Sequence, residues 1–227
     1  MTDPASTDSP AVAYERETER VAPYHATLLS EVIDLALSVV PSPRRWLDTG
    51  CGPGRLVELA RAETPQTDFV LADPAPPMLA FARQRHAELP ASSFVAAPSH
   101  ALPELEPFDV VTAILCHHFY RDEAGHDAAL RRCRALVRPG GVFVTVEIVR
   151  ADTDAGHDVQ RRRLAAWQRR HGRAEEPISA LVSSEGTQYF PRRARELGEA
   201  MGVAGFAPVE LFWRAHQLAG LFGIANG

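Results

Sequence analysis

The stretch Trp46-Leu47-Asp48-Thr49-Gly50-Cys51-Gly52-Pro53-Gly54-Arg55-Leu56 decides how this chain is read. A short apolar run ends in an acid, a glycine-rich turn follows, and a helical pattern begins at about Arg55. Gly50, Gly52 and Gly54 can take positive φ, or let a ligand approach the backbone where a Cβ would block it. The free N–H groups of the following helix would point into the same crevice. In open α/β sheets, ligands bind at this place, outside the carboxyl end of a central strand. No Gly-Lys-Ser/Thr follows, so the turn is not a phosphate loop of the Walker type. A compressed dinucleotide-binding turn stays open at this point, although Asp48 precedes the glycines where such folds usually have an apolar residue.

Outward from the turn, strand and helix patterns alternate. Helices are predicted over about 11–22 and 24–40, the second with a broad apolar stripe (Leu28, Leu29, Val32, Ile33, Leu35, Ala36, Val39) stopped by Pro41 and Pro43. Strands are predicted at 45–48, 69–72, 93–96, 109–115 and 142–149, with helices at 56–62, 76–88 and 123–137 between them. The run Asp109 to Leu115 is nearly all apolar, as suits a strand covered on both faces. Five alternations argue for a parallel sheet with right-handed crossovers. After Arg150 the pattern changes to a polar helix over about 152–173, irregular chain over 175–186, a helix over 191–201, and a strand pair at 208–213 and 216–224. Residues 1–10 read as a disordered start. Residues 11–227 read as one domain, with a helical cap at 11–43, a binding core at 44–150, a helical insertion at 151–190, and a terminal helix and strands at 191–227.

Composition bounds the function. Of 227 residues, 45% are apolar and 23% charged, which is ordinary for a globular protein. A net charge of −5 gives no electrostatic case for nucleic-acid binding. All 24 basic residues are arginines, so a Schiff-base lysine is excluded. Cys51, Cys116 and Cys133 show no CxxC spacing and read as reduced thiols of a cytoplasmic protein. The histidines lack metal spacing, so no metal is expected. No apolar run reaches membrane-spanning length and the start has no leader pattern, so no membrane partner is expected.

The acids and strand ends assemble into a constellation. Asp73, about 25 residues after Asp48, ends the second strand, where an acid can accept hydrogen bonds from two ribose hydroxyls; it also suits a helix cap before Pro74. Pro98-Ser99-His100 ends the third strand, and Leu115-Cys116-His117-His118 ends the fourth.

Through these pieces the chain resembles the class I S-adenosylmethionine-dependent methyltransferases. The matching segments are LDTGCGPGRL at 47–56, VLADPAPPML at 70–79, ALPELEPFDVVTAILCHH at 101–118 and LVRPGGVFVTVE at 136–147. The resemblance implies a Rossmann-like, mostly parallel seven-stranded sheet with an antiparallel terminal strand and helices on both faces. It implies S-adenosylmethionine as cofactor, with the methionine moiety at the glycine turn and the ribose on Asp73. Asp48, Gly50, Gly52, Gly54, Asp73, Pro74, Met78 and Leu115 become the implied cofactor-binding residues. Where the family commonly has an Asp-Ala pair before Leu-Pro, this chain has Pro98-Ser99, and proline offers only its carbonyl. Adenine recognition is therefore expected from the main chain of Ser99 and His100, or from the Ser99 hydroxyl. The layout is also similar to the carboxy-S-adenosylmethionine synthase group of tRNA wobble-uridine modification, which makes Tyr24 a further cofactor candidate. The arginine that pairs the added carboxylate in that group has no obvious counterpart between Arg173 and Arg192.

Methyl transfer is an in-line displacement that depends mainly on positioning and desolvation. A base is needed only when the acceptor carries a proton of high pKa. His117 and His118 are the candidates for that base, one of them expected to face the methyl group, with local packing as the other reading. Glu147, an acid inside the fifth strand, is expected either to line the acceptor pocket with a raised pKa or to pair with an arginine. Tyr14, Tyr120, Trp167, Tyr189, Phe190 and Trp213 could wall an aromatic acceptor. The expected activity is methyl transfer to an O, N or C nucleophile of a small molecule, with a homodimer as the candidate assembly. The rivals are a tRNA-pathway enzyme making or using carboxy-S-adenosylmethionine, and a non-catalytic S-adenosylmethionine-binding module.

Overall fold

The computed structural model describes residues 10–226. The expected disorder at 1–10 lies outside them except for Pro10, which opens a helix. Seven strands form one sheet: β1 (Arg45–Thr49), β2 (Asp68–Ala72), β3 (Phe94–Val95), β4 (Phe108–Ile114), β5 (Val137–Ile148), β6 (Phe206–Ala215) and β7 (Leu218–Ala225), in the order β3-β2-β1-β4-β5-β7-β6. β1 pairs in parallel with both β2 and β4, and β7 is antiparallel to β5 and β6, so β7 alone runs against the rest. Strand order reverses between β1 and β4, which opens a crevice at their carboxyl ends.

The helices are α1 (Pro10–Val21), α2 (His25–Val39), α3 (Arg55–Glu63), α4 (Pro76–Arg85), α5 (Glu123–Leu136), α6 (Asp154–Arg170), α7 (Glu175–Ser183) and α8 (Ala194–Val203). Side chains alternate across the sheet with period two. Trp46, Phe69, Leu71, Val110, Val142 and Val144 face a core closed by α2, α3 and α4. Leu47, Val70, Val111 and Phe143 face the opposite core, closed by α5 and α8. Burial on both faces is why β4 reads as a continuous apolar run.

Three expectations need correcting. The chain over 175–186 is not wholly irregular, because α7 occupies Glu175–Ser183. Its Pro177 sits in the first turn, where a missing N–H costs nothing, and Ile178 supplies the buried contact. β5 begins at Val137 rather than after Gly141, with a register shift opposite β4 between Phe108 and Val110. Gly141 permits this, since a Cβ there would meet the Asp109 carbonyl oxygen at 2.7 Å. β3 is only two residues long. At the amino-terminal end of the sheet, Asp109 accepts the backbone N–H groups of Arg44 and Arg45, both at 2.7 Å, and pairs with Arg138. That acid fastens strands and stands away from the crevice.

Candidate active site

β1 delivers its chain into the glycine turn at Gly50. Gly50, Gly52 and Gly54 have φ of 68°, 53° and 81°. At Gly50 the space is also limiting, since a Cβ would lie 2.4 Å from Cys116 Cβ. Asp73, at the end of β2, fastens this turn: Gly52 N–H donates to its Oδ2 at 2.9 Å and Ala75 N–H to its Oδ1 at 2.8 Å. Asp73 thus serves as the turn's anchor and caps the approach to α4, while remaining on the crevice wall.

Asp48 is buried at the same strand end. Its Oδ1 accepts the Thr112 hydroxyl at 2.8 Å, and the Thr112 oxygen in turn accepts Trp46 Nε1–H at 3.1 Å. Burial pushes the Asp48 carboxyl up to about 7; the Thr112 hydrogen bond pulls it partly back and the Asp73 charge adds to the rise.

Around these groups lies a cavity of about 460 Å³ over the carboxyl ends of β1, β2 and β4. Asp48, Gly50, Gly52 and Asp73 form one side; Pro74, Met78, Ser99 and Leu115 line it as well. Gly54 does not; its carbonyl meets His86 Nε2 at 3.0 Å beneath the start of α3. Tyr24 is 55% exposed and packs in a triangle of rings with Trp167 and His216, each 6.3 Å away, outside the cavity lining, so the expectation that it reaches the cavity is corrected. His100 is turned aside, its N–H donating to the Tyr120 hydroxyl at 3.2 Å and its Nδ1 3.0 Å from the same oxygen. The Ser99 hydroxyl is engaged inward by Thr49 Oγ1 at 2.9 Å and His117 Nε2 at 3.0 Å.

α1 contributes Tyr14, Glu15 and Thr18 to the wall, and α2 contributes His25; of these, Glu15, Thr18 and His25 carried no sequence signal. Burial lowers the His25 pKa despite the nearby Glu19 and Glu15, so its imidazole is neutral near pH 7. His25 was legible only as the first residue of an amphipathic helix, and a helix's placement over the crevice is not a local property. Tyr14 and Tyr120 do line the cavity, whereas Trp167, Tyr189, Phe190 and Trp213 do not.

His117, His118 and Glu147 are brought together, but beneath the strand end and outside the cavity lining. A single 3-10 turn at His117–Phe119 follows Leu115, whose φ is 55°, and folds both imidazoles inward. Glu147 receives the N–H of His117 at 3.1 Å, the N–H of His118 at 2.9 Å, His118 Nδ1 at 2.6 Å and the Thr145 hydroxyl at 3.0 Å. Burial alone would raise its pKa. The His118 hydrogen bond and the positive charge of the surrounding imidazoles outweigh burial and hold it at about 2. The expected raised pKa is therefore reversed: a carboxylate with four donors is better solvated than its acid form. Burial also lowers the His117 pKa. The geometry ties the β4 end to β5 and turns neither histidine toward the crevice.

Beyond Tyr120, which lines both spaces, lies a second and more polar cavity of about 820 Å³. α6 and α7 supply part of its wall. Among the described residues no cluster of three or more His, Cys, Asp or Glu side chains could hold a metal ion. No helix among them is long and apolar enough to cross a membrane.

Comparison with known proteins agrees with this geometry. Residues 47–143 match a family described as a methyltransferase domain. The chain is 32% identical over 179 residues to a trans-aconitate 2-methyltransferase of Acidovorax ebreus, covering 78% of this chain and 64% of that protein. It is 31% identical over 195 residues to the protein of the same name from Methylobacterium nodulans, covering 85% and 69%. The curated relatives it matches are longer, and the chain spans about half to two thirds of their length. A solved O-methyltransferase family protein from Burkholderia thailandensis superposes with a TM-score of 0.69 over 96% of this chain and 60% of that one, at 18% identity, a likeness of fold.

Proposed function

The chain belongs to the class I S-adenosylmethionine-dependent methyltransferases, and from that premise we propose that it methylates an oxygen of a small carboxylate-bearing molecule. The observation that carries the reading is the cavity at the switch point of the sheet, bounded by Asp48, the glycine turn and Asp73. When bound there, S-adenosylmethionine supplies an electrophilic methyl group on a sulfonium. The residues present fit it. The turn leaves no room for a Cβ at Gly50, so main chain forms the wall, and buried Asp48 presents a carboxyl to a cationic ligand. Asp73 is the ribose acceptor in this reading, its contacts to Gly52 and Ala75 holding it in place. α1, α2 and Phe119 supply the surrounding wall, which narrows solvent access to the reacting centre in this reading.

The acceptor class is supported by the relatives, four of which are named for trans-aconitate, an unsaturated polyacid. A carboxylate oxygen is already nucleophilic. It gives up its negative charge as the ester forms, and no proton has to be removed. That chemistry suits a crevice from which His117, His118 and Glu147 are turned away. These three act in this reading as supports of the β4 end, and His25 is the one imidazole on the wall among the described residues.

The test is incubation with S-adenosylmethionine and a panel of small acids, amines and phenols, with mass spectrometry of the products. Gain of one methyl group on a carboxylic acid supports the proposal. Methylation confined to amines or phenols removes the acceptor class. Absence of calorimetric binding by both S-adenosylmethionine and S-adenosylhomocysteine removes the donor.

A further inference from the structure

The second cavity is walled by the start of α5, by Arg150 after β5, by α6 and α7, and by Arg192 before α8. Its charged groups differ in how far they are already satisfied. Glu185 is occupied by His157 Nε2 at 2.9 Å and by Arg150. Asp122 caps α5 through Gly125 N–H, Asp154 meets Arg150, and Glu196 is taken by Arg193. The acids left over, Glu123 and Asp158, stand exposed at the rim.

The arginines are left open on the inside. Arg192 is mostly buried, and only its Nη1 is engaged, donating to Asp127 Oδ1 at 2.6 Å and His126 Nδ1 at 3.2 Å. Its Nε is buried without a partner. No partner among the described residues meets its Nη2. The Nε/Nη2 edge of a guanidinium is the edge that takes a carboxylate in two parallel hydrogen bonds, as Arg169 takes Glu175 in this same chain. His126 is a neutral acceptor here, its pKa brought down to about 4 by burial and by the charges of His117 and Arg192, so it steadies Arg192 without neutralising it. Arg161 spends one Nη on the Val182 carbonyl at 3.0 Å, and the rest of its fork meets no partner among the described residues. The main chain joins the pieces, since Arg150 N–H donates to the Arg192 carbonyl at 3.0 Å.

We propose that this second cavity is the acceptor's anion site, in which Arg192, together with Arg161, holds one carboxylate of a small polyacid while another carboxylate of the same molecule reaches past Tyr120 to the first cavity. The inference rests on the methyltransferase reading for its purpose, and its chemistry is separate from donor binding. It names a role for the insertion at 151–190: to supply one wall of a charged pocket that a mostly apolar crevice lacks. It also accounts for a buried guanidinium Nε–H with no partner among the described residues, a feature that native structures seldom leave unexplained.

The experiment is calorimetric titration of trans-aconitate, and separately of its trimethyl ester, into the full chain with and without saturating S-adenosylhomocysteine. The acid is expected to bind and the ester not. Arg192→Met and Arg161→Met are each expected to weaken the acid at least tenfold, with S-adenosylhomocysteine affinity unchanged. Arg192→Lys is expected to recover part of the loss, a point charge replacing a fork. Failure of the acid to bind wild type, equal binding of acid and ester, or wild-type affinity for the acid in both methionine variants overturns the proposal. If Arg192→Met loses S-adenosylhomocysteine binding as well, Arg161→Met decides, being partly exposed and bonded only to a carbonyl. Loss of S-adenosylhomocysteine binding in the wild type would instead refute the donor reading, and the titration without it would still read the anion site.

Discussion

Replacing Asp48 by asparagine should stabilise the ligand-free protein while weakening its hold on a cationic donor. Burial moves the Asp48 carboxyl from its ordinary 3.8 to about 7, a rise of about three units. At 1.36 kcal/mol per unit this is on the order of 4 kcal/mol of differential interaction between the two protonation states. The sign follows from proton counting. Between pH 4 and 7 the folded chain keeps a proton on Asp48 that the unfolded chain has released, so stability falls as pH rises through that window and then levels off. Asparagine never ionises, and its carbonyl oxygen can still accept the Thr112 hydroxyl. Asp48→Asn should therefore be more stable than wild type by about 1–2 kcal/mol at pH 5 and by roughly 3–4 kcal/mol at pH 8, the latter about 6–16 °C in Tm for a chain of this size. Thermal unfolding of both proteins at the two pH values, followed by circular dichroism, measures this. Calorimetry supplies the other half: the variant should lose more affinity for S-adenosylmethionine than for S-adenosylhomocysteine, which lacks the sulfonium charge. A Tm difference that does not change with pH, or a variant less stable than wild type at pH 8, would refute the argument that an uncompensated buried carboxyl stands at the head of the cavity.

The glycine turn separates steric from conformational cost. Gly50→Ala places a Cβ 2.4 Å from Cys116 and should cost several kcal/mol of stability with loss of S-adenosylhomocysteine binding, whereas Gly52→Ala meets nothing within 4 Å and should cost only about 1 kcal/mol for its positive φ; urea unfolding of the pair reads the difference. Glu147→Gln keeps the shape but leaves donors from His117, His118 and Thr145 poorly matched, for an expected loss of about 3–5 kcal/mol. Because the Glu147 pKa is depressed to about 2, the stability it contributes is present above its ordinary 4.5 and lost as pH falls toward 2, so wild type should show an acid-unfolding limb in that window that Glu147→Gln lacks. Asp73→Ala should weaken S-adenosylhomocysteine by roughly 1–3 kcal/mol in calorimetry if the ribose contacts exist, with unchanged affinity removing that assignment.

Much of this site was legible because its signals are local. The acid–turn–helix at 48–55, the acid ending β2 and the apolar run of β4 are each set by neighbours within one element, and the parallel sheet follows from their alternation. The helix α7 was missed because proline and two glutamates hide a first turn that tolerates both. His117 and His118 were correctly located at the end of β4, yet the direction in which they point depends on the left-handed Leu115 and on Glu147, about thirty residues away in β5.

The sequence by itself determined that strand and helix alternate, that the β1 turn must be glycine, and which family's motifs stand in order. Only the tertiary structure decided which strand-end side chains face the crevice, that α1 and His25 line it, and that Arg161 and Arg192 line a second cavity that Tyr120 shares with the first. The reason is one of range. Backbone conformation at a turn is fixed by the residues that form it, whereas a side chain's facing, its pKa and its spare hydrogen bonds are fixed by groups that only the folded sheet brings near.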